Sequence, residues 1–509
     1  MMILVLSCVL VCFVILFLIK FLYEVWWKPI HVQSALRSQG IRGPPYRFFH
    51  GNAKDIIRMK NESFTSSMEL SHQILPRIQP HYYLWNKLYG NNCVSWLGPR
   101  PQLIVTEPNL VKEILNKDEL YPKPEFESYL KNLFGDGLVT TRGEKWFRQR
   151  KLANHTFHGD NLKVMIPAMI ASAEMMLERW RQHESKEIDV YIEFKLLTSE
   201  IISRTAFGSS YLEGKHIFDL LSRLILILSR NNYQVRIPGL KKIIKTKDDI
   251  EADRLEHGMR DSILKMIKKR EEEAKMREVD SYGSDYLGVL IKANRDVDKT
   301  KQISIDDLVD ECKTFYIAGH ETTTSSLTWS VLLLAMHRDW QEKARKEVLE
   351  LFGQRNPTSD EISRLKIMNM IVNETLRLYT PITTLIREVQ KGTKLGKLIA
   401  PARMDVLIPT LAVHHDPEIW GEDVHLFKPE RFAEGVAKAT RNNIAAFCPF
   451  GLGPRNCVGM NFAMTETKIA LSMILQRYRF TLSPSYVHSP IVLIAVCPQS
   501  GLQITLQPL

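Results

Sequence analysis

An almost continuous run of apolar residues opens the chain. Residues 1–23 are apolar apart from Ser7 and Lys20, and a run of this length can cross a bilayer. No basic segment precedes it and no small-residue cleavage site ends it, so a cleaved signal peptide is the weaker alternative. Lysine and arginine residues follow, which places the downstream side in the cytosol by the positive-inside rule. The pattern predicts one uncleaved transmembrane anchor.

Behind the anchor, short strand and helix patterns alternate. Residues 24–45 are a linker that ends in a stiff, proline-rich hinge. The stretch 93–106 predicts two short strands around a Gly-Pro turn, and residues 490–506 carry the turn and strand signals of a closing hairpin. No internal repeat or low-complexity segment divides residues 46–509, so we treat them as one globular unit.

A very long helix is predicted from Ser304 to about His337, with Asp307 placed for a capping box. Its middle, residues 318–323, reads Ala-Gly-His-Glu-Thr-Thr. A glycine inside a helix costs about 1 kcal/mol relative to alanine. Beside an acid and two hydroxyls, this glycine favours a groove where a ligand meets the backbone. A simple helix kink is the alternative.

Composition and charge narrow the functional class. The chain has 509 residues, of which 45% are hydrophobic and 25% charged, as is ordinary for a globular protein. Its net charge of +11 suits anionic lipid headgroups or an acidic protein partner. We find no nucleic-acid-binding motif and expect no nucleic-acid partner. The seven cysteines show no paired spacing, which favours a reducing compartment over a disulfide framework.

One cysteine lies in a glycine-rich loop before a helical run. Residues 450–459 read Phe-Gly-Leu-Gly-Pro-Arg-Asn-Cys-Val-Gly. Outward N–H groups and the helix dipole favour a thiolate at Cys457, and the glycines leave room for a flat, metal-bearing ring against the backbone. Arg455 could reach an acidic group on that ring. A buried structural cysteine and a phosphate loop are the alternatives, but the glycine pattern of a phosphate-binding fingerprint is incomplete.

This loop resembles the haem-binding signature of the cytochromes P-450, Phe-x-x-Gly-x-Arg-x-Cys-x-Gly. The positions that match the signature are Phe450, Gly453, Arg455, Cys457 and Gly459. The resemblance implies haem b with the Cys457 thiolate as its iron ligand, and Phe450, Arg455 and Gly459 as further cofactor-binding residues. It also implies a mainly α cytochrome P450 fold, with a helical haem domain and a small β-rich lobe over residues 46–509.

Three more cofactor contacts follow from the same resemblance. Trp146 and Arg150 are four residues apart in a helical pattern and therefore share one face. From the residues alone they describe an exposed basic helix with one buried tryptophan. The family's Trp-x-x-x-Arg pattern implies instead that both bind a haem propionate. Arg387 is a further candidate for a propionate contact.

The centre of the long helix also matches a family element, Ala/Gly-Gly-x-Asp/Glu-Thr. The resemblance implies that Glu321 and Thr322 are the catalytic residues, delivering protons during dioxygen activation. Ala318, counted with the cofactor-binding residues, leaves space above the haem. These three assignments rest on the motif and not on helical spacing.

Glu374 and Arg377 are three residues apart on another predicted helix. Alone this spacing means little, because most such pairs are exposed and weak. The resemblance implies that Glu374, Arg377 and Arg431 form a buried network that supports the haem-binding core. His414 and His415 stand beside an Asp-Pro pair, which indicates a surface turn and not a metal site. The same Glu-x-x-Arg spacing recurs at Glu178/Arg181, Glu251/Arg254, Glu342/Arg345 and Glu361/Arg364.

Together these motifs imply a membrane-bound haem-thiolate monooxygenase that hydroxylates a lipophilic small molecule. Its electrons come from NADPH through a separate NADPH–cytochrome P450 reductase, because no flavin or NADPH region fits in this length. The implied location is the endoplasmic reticulum membrane, single-pass, with the catalytic domain cytosolic. Several motifs resemble the plant clan that includes secologanin synthase and the cytokinin and brassinosteroid hydroxylases, which implies a terpenoid or hormone-like substrate.

Two other functional classes stay open. One is a haem-thiolate isomerase or dehydratase that uses no dioxygen, against which the intact pair Glu321–Thr322 argues. The other is a non-catalytic, membrane-tethered haem protein, which would show no reductase-dependent turnover. The segments expected to line the substrate pocket are residues 120–133, 315–322, 382–386 and 492–499.

Overall fold

Helices make up most of the structure. The computed structural model describes residues 2–66, 68–126, 129–236, 244–276 and 282–509. In chain order, the helices are α1 Met2–Leu22, α2 Lys28–Ser38, α3 Ala53–Thr65, α4 Leu75–Ile78, α5 Pro80–Tyr89, α6 Pro108–Asn116, α7 Tyr129–Phe134, α8 Gly143–Phe157, α9 Asp160–Arg181, α10 Val190–Phe207, α11 Tyr211–Asn231, α12 Lys247–Met276, α13 Tyr286–Asn294, α14 Ile305–Met336, α15 Arg338–Phe352, α16 Ser359–Ile362, α17 Lys366–Leu378, α18 Thr410–His414, α19 Pro417–Trp420, α20 Val436–Ala439 and α21 Met460–Arg477.

The strands are short. They are β1 Asn92–Leu97, β2 Arg100–Val105, β3 Glu187–Asp189, β4 Leu385–Glu388, β5 Thr393–Leu395, β6 Leu398–Ala400, β7 Asp405–Ile408, β8 Tyr478–Leu482, β9 Pro490–Val492, β10 Val496–Pro498 and β11 Gln503–Pro508. The fold is therefore mainly α with a small β component, as the sequence predicted.

The strands form small, separate sheets. The largest has the order β1-β2-β7-β4, in which β1 and β2 are antiparallel and β2 and β7 run parallel. The predicted strand pair around the Gly-Pro turn is confirmed as β1 and β2. The hairpin predicted for residues 490–506 is confirmed in part. Strands β9 and β10 form an antiparallel hairpin, but β11 pairs with β8 and β3 in a different sheet. Because β3 is some 300 residues earlier in the sequence, no local signal identifies that pairing.

The apolar N-terminal run is an exposed helix. No residue of α1 is buried, and the helical stretch Met2–Ser38 is long and apolar enough to cross a membrane. A π-helical turn, Tyr23–Trp27, joins α1 to α2, so helix occupies most of the sequence predicted as a linker. The hydroxyl of Tyr46 donates to the carbonyl of Val25 within that turn. This contact fastens the base of α1 to the globule.

The long helix α14 runs through the core. Ser304 Oγ accepts a hydrogen bond from the N–H of Asp307 at 3.0 Å, and Asp307 Oδ2 accepts one from the N–H of Ser304 at 3.2 Å. The predicted capping box is thus confirmed, as is the end of the helix near His337. Most of its side chains are buried against α10, α17 and α21. A helix buried on nearly every face can present side chains to several neighbours at once.

Candidate active site

The glycine-rich loop before α21 has a constrained backbone. The N–H of Cys457 donates to the carbonyl of Phe450 at 2.8 Å, which closes the loop on itself. Gly453 has φ +72°, and a Cβ there would lie 2.3 Å from the carbonyl oxygen of Leu115. A side chain at this position would therefore collide with the end of α6. The loop needs glycine here for conformation and for space.

The thiol of Cys457 opens into an internal cavity. Burial raises the pKa of this thiol above its ordinary value, although the N–H of Gly459 and the cations Arg150 and Lys123 act to lower it. The expected lowering by the helix N-terminus is thus present but outweighed by burial. A coordinated metal ion would reverse that balance, because a thiol that binds a metal is deprotonated.

The cavity collects the residues predicted to bind the cofactor. It has a volume of about 320 Å³ and lies between α8, α14, α21 and β4. All eight predicted cofactor-binding residues line it: Trp146, Arg150, Ala318, Arg387, Phe450, Arg455, Cys457 and Gly459. They come from four parts of the chain that span more than 300 residues. The structure therefore brings the sequence-predicted set together around one space.

Arginines form one end of this cavity. Arg455 donates to Asp118 Oδ2 at 2.9 Å and to the carbonyl of Thr141 at 2.8 Å, and its guanidinium lies 4.0 Å from the ring centre of Trp146. Arg150, one turn after Trp146 on α8, donates to Asn456 Oδ1 at 2.7 Å. The shared helix face predicted for Trp146 and Arg150 is confirmed, because both line the cavity.

Two further cations, the buried Arg387 and the half-buried Lys123, have few anionic partners. Arg387 donates to the carbonyl of Ile386 at 2.9 Å, but its Nε has no hydrogen-bond partner among the described residues. Burial lowers the pKa of Arg387 to about 10. Lys123 donates to the carbonyl of Val139 at 2.7 Å. Burial, with the neighbouring Arg387 and Arg455, lowers the pKa of Lys123 to about 7. This end of the cavity therefore holds an excess of buried positive charge.

Sequence reasoning missed Lys123. It carries no motif, and a lysine in a loop is normally solvated. The segment 120–133 was expected to line the substrate pocket, but within its described residues the cavity lining includes Lys123 alone; residues 127–128 lie outside the description. Phe134, Leu138 and Val139 supply the wall instead. The apolar wall therefore lies at the end of α7 and just after it, later in the sequence than predicted.

The two predicted catalytic residues point in different directions. Thr322 lines the cavity and donates its hydroxyl to the carbonyl of Ala318 at 2.7 Å. Glu321 is absent from the cavity lining and faces α10, where its Oε1 lies 3.6 Å from Lys195 Nζ and 3.5 Å from His320 Nε2. Adjacent residues on a helix are about 100° apart, so this separation follows from their sequence positions.

The mid-helix glycine has a packing role that the sequence did not indicate. Gly319 lines the cavity, as a ligand groove requires. A Cβ on Gly319 would also lie 2.5 Å from Cδ1 of Ile202 on α10. Its absence therefore allows α10 and α14 to approach closely, which brings α10 side chains to Glu321.

The predicted buried network is present. Arg377 and Glu374 share two hydrogen bonds of 2.8 Å, and both side chains are fully buried. Arg431 Nε lies 3.5 Å from Glu374 Oε1. Arg377 also donates to the carbonyl of His414 at 3.0 Å. The surface turn expected at His414 and His415 is wrong, because both side chains are buried and His414 Nε2 accepts a hydrogen bond from the N–H of Cys448, two residues before the cysteine loop.

Comparison with known proteins agrees with this geometry. A sequence model of the cytochrome P450 family matches residues 72–506. The chain belongs to the cytochrome P450 family. This P450 is 58% identical to cytochrome P450 CYP749A22 of Panax ginseng, over 96% of this chain and 94% of that protein. It is 41% identical to cytochrome P450 734A1 of Arabidopsis thaliana, over 95% and 93% of the two chains. It is 38% identical to 7-deoxyloganic acid hydroxylase of Catharanthus roseus, over 95% of each.

Membership settles the cofactor and the general reaction. P450s bind haem b, and this chain is a cytochrome P450 monooxygenase of the plant clan to which these relatives belong. Its residues fit haem. The Cys457 thiol opens into the cavity, and the glycines of the cysteine loop add no side chains beside it. The cations that line the cavity suit two propionate carboxylates. Among the described residues no cluster of three histidine, cysteine or acidic side chains offers another metal site.

Proposed function

We propose that this P450 hydroxylates a lipophilic small molecule at the endoplasmic reticulum membrane. The observation that carries the proposal is the shared cavity, whose lining combines the Cys457 thiol, several cations and many apolar side chains. Haem held by a thiolate supplies dioxygen activation and transfer of one oxygen atom to a C–H bond. A NADPH–cytochrome P450 reductase supplies the electrons.

Each group at the cationic end has a defined part in this proposal. Cys457 ligates the iron. Arg150, Arg387 and Arg455 bind the propionates, and Lys123 joins them from the loop before α7. Their side chains are already held by neighbouring carbonyls and by Asp118 and Asn456, so little ordering remains when the cofactor binds.

The apolar part of the cavity lining selects the substrate class. Phe134, Leu138, Phe315, Ile382 and Leu385 line it, and the hydroxyl of Thr322 is directed to a carbonyl of its own helix. An apolar wall of this kind orients a molecule by shape more than by hydrogen bonds. A relative is named for hydroxylating 7-deoxyloganic acid, which supports a terpenoid or hormone-like substrate of plant secondary metabolism.

Glu321 and Thr322 provide protons in this proposal. Thr322 reaches the cavity, whereas Glu321 lies behind it with Lys195. A proton therefore enters at Glu321 Oε1 and reaches the cavity through the Thr322 hydroxyl or through water. The residues of this relay are on adjacent faces of α14, which keeps the charged carboxylate away from the apolar wall.

The membrane placement rests on α1. This helix is exposed over its length, and the cations that follow it favour a cytosolic catalytic domain. The net charge of +11 would also attract an acidic reductase surface. Protease protection of microsomes that carry the full chain would test this orientation: the domain should be digested without detergent, and protection would contradict the assignment.

The first experiment addresses thiolate ligation. The full chain in microsomes is reduced with dithionite, treated with carbon monoxide and compared with Cys457→Ser and, as a control, Cys448→Ser, a buried cysteine nine residues away. We expect a strongly red-shifted Soret band that Cys457→Ser abolishes and Cys448→Ser retains. Folded, haem-loaded wild type without that band would overturn the assignment of Cys457.

Turnover separates the remaining alternatives. With reductase and NADPH, a monooxygenase oxidises those terpenoids that shift the iron spin state. Conversion without NADPH or dioxygen would identify an isomerase or dehydratase. Haem binding with no NADPH oxidation in the presence of reductase would identify a non-catalytic haem protein.

A further inference from the structure

Glu321 lies at the junction of α10, α14 and β10. Its Oε1 is 3.6 Å from Lys195 Nζ on α10 and 3.5 Å from His320 Nε2, its neighbour on α14. Only 7% of the Glu321 side chain is exposed, against 31% of the Lys195 side chain. Lys195 is therefore the part of this cluster that meets solvent. Neither Lys195 nor His320 belongs to the acid–threonine pair that the family motif assigns.

The other titratable groups that face Glu321 are neutral. Tyr191 on α10 and Cys497 on β10 both lie close enough to Glu321 for its negative charge to raise their pKa values. Burial raises the pKa of Cys497 to about 12 and raises the pKa of Tyr191. At pH 7 the carboxylate of Glu321 therefore has Lys195 as its cationic neighbour, and that lysine also lies 5.5 Å from the ring centre of Tyr191.

His320 is fixed on its other side by hydroxyl groups. Its Nδ1 lies 2.8 Å from Thr198 Oγ1 and 3.2 Å from Ser199 Oγ. Burial lowers the pKa of His320 to about 4, so one ring nitrogen carries a hydrogen and the other does not. Both hydroxyls also lie within hydrogen-bond distance of a backbone carbonyl, Ser199 at 2.6 Å from Lys195 and Thr198 at 3.0 Å from Phe194. Each hydroxyl can therefore either accept a hydrogen bond from Nδ1 or donate one to it.

The Glu321 carboxylate favours one tautomer of His320. If Thr198 donates to Nδ1, the hydrogen of His320 is on Nε2, the ring nitrogen that lies 3.5 Å from Glu321 Oε1. If Nδ1 carries the hydrogen, a bare nitrogen lone pair faces the carboxylate and repels it. An ionised Glu321 therefore selects the first arrangement. In this arrangement Thr198 contacts Nδ1 at 2.8 Å, and the Nε2 side of the ring lies 3.5 Å from Glu321 Oε1, an electrostatic contact and not a hydrogen bond.

We propose that Lys195 and His320 are positioning residues for Glu321, Lys195 linking its carboxylate to solvent and His320 holding it at the back of the cavity. This inference rests on the proposed proton-delivery role of Glu321. It adds a specific entry side for protons, the gap between α10 and α14, and two residues that control it. Gly319 belongs to the same arrangement, because its missing side chain permits the close approach of α10.

The assay uses dioxygen itself as the probe. The full chain, in nanodiscs with reductase and NADPH but without added substrate, reduces dioxygen either by two electrons and two protons to hydrogen peroxide or by four electrons and four protons to two waters. Hydrogen peroxide released per NADPH consumed reports how well protons are supplied. Glu321→Gln provides the reference for a failed supply.

Pairs of variants at each position distinguish loss of the charge or donor from a change in side-chain size. Lys195→Met and His320→Phe remove the cation and the donor, whereas Lys195→Arg and His320→Gln retain them. We expect the first two to raise the peroxide fraction at least twofold, toward the value of Glu321→Gln. The retaining variants should stay near wild type, as should the control Lys215→Met, an exposed lysine of α11. Lys195→Met and His320→Phe at the wild-type value, with Glu321→Gln changed, would overturn the inference.

A second measurement does not depend on turnover. Urea unfolding of the wild type, Lys195→Met, Glu321→Gln and the double variant gives a double-mutant cycle. We expect non-additive shifts of the midpoint, because each single variant removes the same contact; additive shifts would contradict the contact. A wild type with no red-shifted carbon monoxide band, or with no NADPH oxidation, would instead count against the proposed function. The double-mutant cycle could still be interpreted, because it measures unfolding and not turnover.

Discussion

The buried Glu374–Arg377 pair should dominate the stability of the haem-binding core. Glu374 accepts two hydrogen bonds of 2.8 Å from Arg377 and one of 3.0 Å from the N–H of Lys428, with both charged side chains fully buried. Replacing Glu374 with Gln keeps the shape but leaves the guanidinium without a counter-charge. Breaking a buried pair in this way costs about 3–5 kcal/mol, a large share of the roughly 5–15 kcal/mol that stabilises a typical domain.

The chain contains its own matched control. Glu178 and Arg181 have the same spacing and a 3.0 Å contact, but 68% and 63% of their side chains are exposed. Glu178→Gln should therefore cost well under 1 kcal/mol. Urea unfolding of the full chain, followed by circular dichroism and by Soret absorbance, measures both variants against the wild type.

The result that refutes this reasoning is simple to state. If Glu374→Gln and Glu178→Gln lower the free energy of unfolding equally, burial is not what distinguishes the two pairs. A further check is the double variant Glu374→Gln/Arg377→Met. It should cost less than the sum of its single changes, because the second change removes the unpaired charge left by the first.

Three further predictions concern the cysteine loop, the cationic end and acidity. Gly453→Ala should reduce haem content and lower the unfolding midpoint more than Gly451→Ala. Both have φ near +72°, but a Cβ on Gly453 would collide with a backbone oxygen at 2.3 Å, whereas a Cβ on Gly451 would make only an ordinary contact at 3.7 Å; equal losses would contradict this. Lys123→Met should release haem to apomyoglobin on the order of tenfold faster, as loss of one charge-assisted bond implies, whereas exposed Lys117→Met should not. Burial lowers the pKa of His414 to about 3, so its contribution to stability is complete above the unfolded pKa near 6.5 and is lost as pH falls toward 3. Urea unfolding at pH 7 and pH 5 should show a loss approaching about 1.4 kcal/mol per unit for such a histidine, and a flat profile would count against it.

Local signals in the sequence predicted much of the site. The capping box of α14 and the four-residue spacing of Trp146 and Arg150 are encoded within one or two helical turns, and both are confirmed. The cysteine loop is equally local, because its glycines are required by the backbone path itself. Motifs of this kind succeed since the interactions they describe lie within a few residues.

Other features depend on contacts between distant segments. Lys123 and Lys195 carry no motif, and their roles follow from neighbours on distant segments, Arg387 and Arg455 for Lys123 and Glu321 for Lys195, that only the tertiary fold brings close. The burial of His414 is similar, because an Asp-Pro pair predicts a turn but does not reveal that other elements cover it. The sequence shows which side chains are present, but only the tertiary structure shows which of them are buried and therefore desolvated.

The two sides of α14 differ in how their charged groups are balanced. On the cavity side, the cations near Cys457 are held by carbonyl groups and one carboxylate, Asp118, so positive charge is in excess. On the α10 side, the carboxylate of Glu321 has its cation, Lys195, partly in solvent. A charge in a buried site costs free energy unless a group of opposite charge offsets it. The cavity side requires the propionates of haem, and the α10 side remains balanced without any ligand. The cofactor should therefore be bound strongly at the cationic end, and in our proposal protons enter from the α10 side of the helix, where Lys195 meets solvent.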